Sequence, residues 1–316
     1  MEKVVIIINA DVSDRGKLIS ASPVTQKMVE ALQRSIEKHS SPSIAVEIIS
    51  AATLWSKNSR NNYKEADSKT IYCPLTIQLP EYFDFPQQKI YSACKDLNSR
   101  RHWVEKKLGF KTSVGDSWLG HLWLPIILTS DSSQGSADNA SQRIASPSGH
   151  ISATGVSSTD CFSTESKRSV STPQRGIQVE ESNSPDAPLE IYDDSNSIGE
   201  SKSAIAKPIF AEVIGEGSMP NSYEHPVIIP HRRLKSLHSL AHQLLDSLSA
   251  PPACYLLQFS LYNGEIVFDR LWPFPAAPAL ITLKTQQPDL FTCHWKCLTQ
   301  QPITHEDIII SDAMAI

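Results

Sequence analysis

The spacing of apolar positions changes period several times along this chain, and each change marks an element. Residues 4–8 form a continuous β-branched run, VVIII, the pattern of a strand covered on both faces. A polar loop with Asp11, Ser13, Asp14, Arg15, Gly16 and Lys17 follows. Ser22 and Pro23 then supply an N-cap and a first-turn proline, and Val24, Met28, Leu32 and Ile36 recur every fourth residue to about His39. Residues 44–50 return to a strand, so the chain opens as β-loop-α-β, the start of an α/β layer structure. Residues 51–70 are polar and irregular around Trp55. Residues 71–79 read as a strand interrupted by Pro74, which places it at a sheet edge or bends it. Residues 87–108 are helical, with Ile90, Cys94, Leu97, Val104 and Leu108 near one side. Residues 118–128, WLGHLWLPIIL, form the most apolar run of the first half and predict a core strand that holds Trp118, His121 and Trp123.

From residue 129 to residue 206 the pattern breaks down. Ser, Thr, Asp, Asn, Gly and Pro dominate, and such a segment buries too little apolar area to offset the entropy of ordering it. It predicts a disordered tract between an α/β region at 1–128 and an α+β region at 207–316. Strand-like runs lie on both sides of it, so an insertion within one sheet stands as an alternative to a linker. Residues 209–214 and 227–230 are strands, and residues 234–248 are a helix with Leu234, Leu237, Ala241, Leu244 and Leu248 in one stripe.

Residues 255–280 carry the densest local signal. Asn263-Gly264 tolerates the positive φ angles of a type I′ turn and is flanked by two β-rich runs, which predicts a hairpin. Strict alternation from Tyr262 opposite Glu265 sets Gln258 opposite Asp269. It leaves Arg270 on the other face, with Phe268, Trp272, Leu257 and Phe259. Trp272, Pro273, Phe274 and Pro275 then read as a rigid lid.

Composition narrows the classes. The net charge of −5 comes from the 129–206 tract, where eleven acidic and five basic residues sum to −6. The remainder is close to neutral, which disfavours a strongly basic nucleic-acid binder. Six widely spread cysteines read as free thiols in a reducing cytosol rather than a disulfide framework. The opening MEKVVIIINA reads as a buried strand rather than a signal peptide, and no apolar run approaches the ~20 residues that span a bilayer. A soluble cytoplasmic protein is the expectation.

Candidate chemistry is sparse. The loop after residue 8 lacks both GxGxxG and GxxxxGK[ST] and reads as an ordinary solvated loop. His238, His242 and Asp246 follow one another at i, i+4 and form a candidate metal face without a HExxH motif. Cys293-His294-Trp295-Lys296-Cys297 has CxxxC spacing but reads as two buried or half-buried thiols. Arg100, Arg101, Trp103 and Lys106 combine cations with an aromatic ring, a candidate for a nucleic-acid backbone and a stacked base. Within the acidic tract, residues 189–194, LEIYDD, are a candidate docking motif for a protein partner.

Residues 226–278 order a strand HPVIIP, a helix RLKSLHSLAHQLLDSL and the hairpin YLLQFSLYNGEIVFDRLWPFP. This segment, about a sixth of the chain, resembles the C-terminal part of ATP-grasp ligases. In that family, acids on two antiparallel strands hold Mg²⁺ and ATP phosphates. The resemblance places the first acid at Gln258, the Asn-Glu pair at Asp269-Arg270 and a following arginine at Phe274. It implies Gln258, Asp269 and Arg270 as the nucleotide-contacting positions if nucleotide binding is retained, with ATP and Mg²⁺ as cofactors only in that case. An amide and one Asp coordinate Mg²⁺ less well than two carboxylates, and Arg270 adds like charge. The sequence therefore predicts a mixed α/β scaffold acting as a binding or regulatory protein without its own catalytic cycle or cofactor. A divergent ATP-dependent ligase and a nucleic-acid-binding protein are the alternatives.

Overall fold

The computed structural model describes residues 3–13, 15–41, 44–56, 69–113, 121–130, 204–206, 209–213 and 222–311. These residues belong to one compact unit formed by Met1–Gln134 and Ser201–Ile316. The expected disorder of the 129–206 tract falls almost entirely outside them, as do Trp118 and the 189–194 motif.

The N-terminal layer is a parallel sheet of three strands in the order β2-β1-β3, where β1 is Lys3–Ile8, β2 Ala45–Ser50 and β3 Thr70–Pro74. Val4 to Ile8 are buried without a polar interruption, as a central parallel strand requires. Helix α1, Pro23–His39, makes the crossover from β1 to β2. Its start is fixed by Ser22, whose hydroxyl accepts the Thr25 N–H at 3.1 Å. The third strand ends at Pro74 rather than at residue 79; it is an edge strand, as the proline predicts, and the Leu75 N–H still donates to the Ile7 carbonyl at 2.8 Å. The expected helix at 87–108 is three pieces: α2 at Gln88–Lys95, α3 at Leu97–Trp103 and a π-helical turn at Val104–Leu108. Asp96 makes the break, since its carboxylate accepts the Ser99 N–H at 3.2 Å and starts a new helix.

The main sheet runs β4-β10-β9-β5-β7-β8, with the short β6 continuing the β7 position beside β5. These strands are β4 Lys111–Thr112, β5 Leu122–Leu128, β6 Ala204–Ala206, β7 Ile209–Glu212, β8 Tyr223–Val227, β9 Ala253–Tyr262 and β10 Glu265–Trp272. All neighbours are antiparallel except β4 with β10. The strands on either side of residues 131–203 are thus adjacent in one sheet, and β5 supplies its middle. The strand expected at 227–230 lies earlier, and Ile228 is 92% exposed.

Helix α4, His231–Ser247, buries Leu237, Leu240, Ala241, Leu244 and Leu245. Helix α5, Leu290–Leu298, is buried on nearly every side, Thr292 and His294 included, and packs against α1 and β9. It is started by Asp289, which accepts the Phe291 and Thr292 N–H groups at 2.9 and 3.1 Å. A buried hydroxyl contact of 2.9 Å between Ser35 and Thr292 ties α1 to α5. Tyr255, Phe259, Phe268, Phe291 and Trp295 are all under 2% exposed, and burying each contributes about 1.5–3 kcal/mol.

The hairpin forms with its turn as expected, Asn263 and Gly264 having φ of 50° and 78°. Its register differs from strict alternation. A β-bulge at Asp269 inserts one residue into β10, so Arg270, not Asp269, pairs with Gln258, and Trp272 pairs with Leu256. The bulge flips every side chain beyond it. Arg270 and Trp272 leave the predicted core face and join Gln258.

Candidate functional site

A cleft of about 560 Å³ lies between the N-terminal layer and the main sheet. Asn9 at the end of β1, Thr25 and Met28 of α1, and Leu75 to Gln78 after β3 form one wall. The sheet supplies the other through His121, Trp123, Glu212, Tyr223, Gln258 and Arg270, and Trp272, Phe274 and Ala276 to Pro278 close one end. Strand pairing explains the convergence. Arg270, Gln258, Trp123 and Phe210 are consecutive register partners on β10, β9, β5 and β7, so they share one face.

Two polar clusters stand on that face. At one end the Trp272 indole donates to Gln258 Oε1 at 3.0 Å, and the Arg270 guanidinium lies 5.6 Å from the Trp272 ring. Arg270 Nε donates to Asp269 Oδ2 at 3.3 Å, while its two terminal NH₂ groups make no hydrogen bond among the described residues. At the other end His121 Nδ1 and Glu212 Oε2 are 3.1 Å apart. Burial, and then the nearby Glu212 carboxylate, raise the Tyr223 hydroxyl well above its ordinary range, so it stays protonated.

Asp269 is occupied elsewhere. Its carboxylate is 3% exposed and forms an ion pair with Arg101, itself buried, whose Nε also donates to the Asp269 carbonyl at 3.1 Å. Two guanidinium groups, Arg101 and Arg270, share the one Asp269 carboxylate, and Arg270 brings its terminal NH₂ groups to the cleft wall.

The pattern read from the sequence had Gln258 and Asp269 side by side; the bulge instead brings Gln258 and Arg270 together and turns Asp269 inward. Arg100, Arg101, Trp103 and Lys106 do not form one surface, because Arg101 is 5% exposed and spent on Asp269. His238 is half-buried on α4 while His242 and Asp246 are exposed, and burial followed by His242 and His231 lowers the His238 pKa. No group of three or more His, Cys, Asp or Glu among the described residues has metal-holding geometry. Cys293 and Cys297 are buried, as expected. His121 is hydrogen-bonded, but at the cleft rather than inside the core. Glu212 and Tyr223 were not singled out from sequence. The signal available for Glu212 was a lone acid inside the apolar run IFAEVI.

No family model and no curated protein matches this sequence. Solved structures do match in fold. Carboxyaminoimidazole ribonucleotide synthase from Aspergillus clavatus, complexed with ATP, is 8% identical over 99% of this chain and 80% of its own, with a TM-score of 0.54. Glycinamide-RNase-transformylase T from Mycobacterium tuberculosis is 9% identical over 95% and 80%, with a TM-score of 0.52. N5-carboxyaminoimidazole synthetase from Staphylococcus aureus, complexed with ADP, is 9% identical over 99% and 80%, with a TM-score of 0.51. The fold is ATP-grasp-like. The likeness covers the chain from end to end, well beyond the 226–278 segment that carries the sequence resemblance.

An ATP-grasp-like fold implies Mg²⁺ with ATP, and the residues at the implied positions do not fit that pair. Gln258 offers an amide oxygen already engaged by an indole, Asp269 is consumed by guanidinium groups, and Arg270 brings a positive charge where a cation would sit. Glu212 is the one carboxylate lining the cleft among the described residues, and it is engaged with His121. No helix among the described residues is long and apolar enough to cross a membrane.

Proposed function

We propose that this chain is a small-molecule-binding protein on an ATP-grasp-like scaffold. It takes its ligand in the cleft between the N-terminal layer and the main sheet and runs no metal-dependent ligase cycle of its own. The reading rests on one observation above all: the carboxylate at the implied metal position, Asp269, is closed into a buried pair with Arg101 and also holds Arg270 Nε at 3.3 Å, so the charges beside it are positive. The cleft has the size and mixture of apolar wall and few polar groups that suits a small ligand.

The fold comparisons favour a second reading, a divergent ATP-dependent ligase, because similar structures include synthases and synthetases held with ATP or ADP. On that reading the metal takes ligands other than Gln258 and Asp269. Release of ADP from Mg-ATP, measured with a panel of carboxylic acids and amines, separates the two. The binding reading expects no turnover above a boiled control, and sustained turnover overturns it.

Two further expectations belong to the same proposal: a cytoplasmic location, and recruitment of a protein partner by the 129–206 tract. Deleting residues 135–200 and comparing co-purifying proteins tests the latter. Nucleic-acid binding is the least supported reading, since Arg101 lies inside the fold.

A further inference from the structure

The cleft's two polar ends differ in sign and each has one unused function, which sets the kind of molecule it takes. At the first end, Asp269 faces both Arg101 and Arg270 Nε, so two cations share one carboxylate, and the terminal NH₂ groups of Arg270 make no hydrogen bond among the described residues. At the second end, Glu212 Oε1 makes no hydrogen bond among the described residues, while Oε2 is fixed by His121. The backbones carrying Arg270 and Glu212 are three strand spacings apart, about 14 Å across the sheet. Between them the floor is Trp123, with Trp272, Tyr223 and Phe274 at the sides.

Resting on the reading of the cleft as a small-molecule site, we infer that it takes an aromatic-bodied monoanion with a carboxylate at one end and a hydroxyl or amino donor at the other. The carboxylate meets Arg270 in a charge-assisted, two-pronged contact. The ring lies on the Trp123 floor, and the donor reaches Glu212. A phosphorylated nucleotide fits worse. Its phosphate carries −1.5 to −2 at neutral pH, and Arg270 is the one Lys or Arg lining the cleft among the described residues. The start of α1 does not make up the difference, because Ser22 already caps it.

The test titrates the full-length protein with 3-(4-hydroxyphenyl)propionate, its neutral amide, phenylpropionate and AMP, following tryptophan fluorescence and thermal stability. The inference expects the hydroxy acid to bind at least tenfold more tightly than its amide, and phenylpropionate to lose part of that affinity. In Arg270→Gln the acid and the amide become equal. In Glu212→Gln the acid keeps its advantage over the amide, but the phenolic hydroxyl loses its benefit. The acid-to-amide comparison is made on the unaltered protein, so it stands even if a variant folds poorly. Equal binding of acid and amide overturns the inference. AMP binding more tightly than the acid overturns the ligand class while leaving the cleft as a binding site. Failure of all four compounds to bind overturns both.

Discussion

Replacing Asp269 with Asn is the perturbation that separates a structural role for this carboxylate from a metal-binding one. In the native fold Asp269 is 2% exposed and faces two cations, Arg101 in an ion pair and Arg270 Nε at 3.3 Å. Asn keeps the shape and removes the charge, so the buried Arg101 guanidinium loses its ion pair with Asp269. Breaking a buried pair from one side costs about 3–5 kcal/mol. For a folded unit of this size, at about 2–4 °C per kcal/mol, that is a fall in Tm of roughly 6–20 °C. Urea denaturation followed by tryptophan fluorescence reads the loss directly. The double replacement Arg101→Met with Asp269→Leu removes both charges and recovers most of it, since well-packed apolar groups substitute for buried pairs at little net cost. If Asp269→Asn stays within about 0.5 kcal/mol of the parent, the usual range for exposed positions, the carboxylate is not holding the fold and the assignment is wrong.

Two other outcomes test the fold. Gly264 has φ of 78°, and a Cβ there lies 2.7 Å from Arg233 Nη2. The arginine swings aside, so Gly264→Ala costs about 1 kcal/mol, mainly through the left-handed backbone, and Gly264→Asn less, as equilibrium denaturation will show. His294 is buried with its Nδ1 accepting the Cys254 N–H at 3.1 Å, and burial lowers its pKa from 6.5 to about 3. Between those values the unfolded chain binds a proton that the folded chain does not, so stability falls as pH drops, by about 1.4 kcal/mol per unit at its steepest. His294→Gln, which keeps an acceptor, flattens the pH profile between 6 and 4.5; an unchanged slope refutes the assignment.

Elements written in local periodicity were legible in the sequence. The VVIII run, the Ser22-Pro23 start with its four-residue repeat, the α4 stripe and the Asn263-Gly264 turn each depend on neighbours within a few residues. The site was less legible because it depends on distance. Arg101 and Asp269 are 168 residues apart, and nothing local marks them as partners. Period-two alternation also carries no information about a bulge, so the face of β10 beyond Phe268 was inverted. One sign was present: alternation put a charged Arg270 among Phe268, Trp272 and Leu257, a placement that costs too much to stand. The bulge resolves it by sending Arg270 to the cleft and enclosing Asp269 with Arg101. Glu212 and His121 come together only through the pairing of β5 with β7 across residues 131–203, which no sequence window spans.

Calorimetric titration of 3-(4-hydroxyphenyl)propionate, with and without millimolar Mg²⁺, decides whether the Arg270 side chain or a metal ion supplies the charge in this cleft. If Arg270 supplies it, the affinity is the same in both and is lost in Arg270→Gln; tenfold tighter binding with Mg²⁺, undiminished in Arg270→Gln, assigns the charge to the metal.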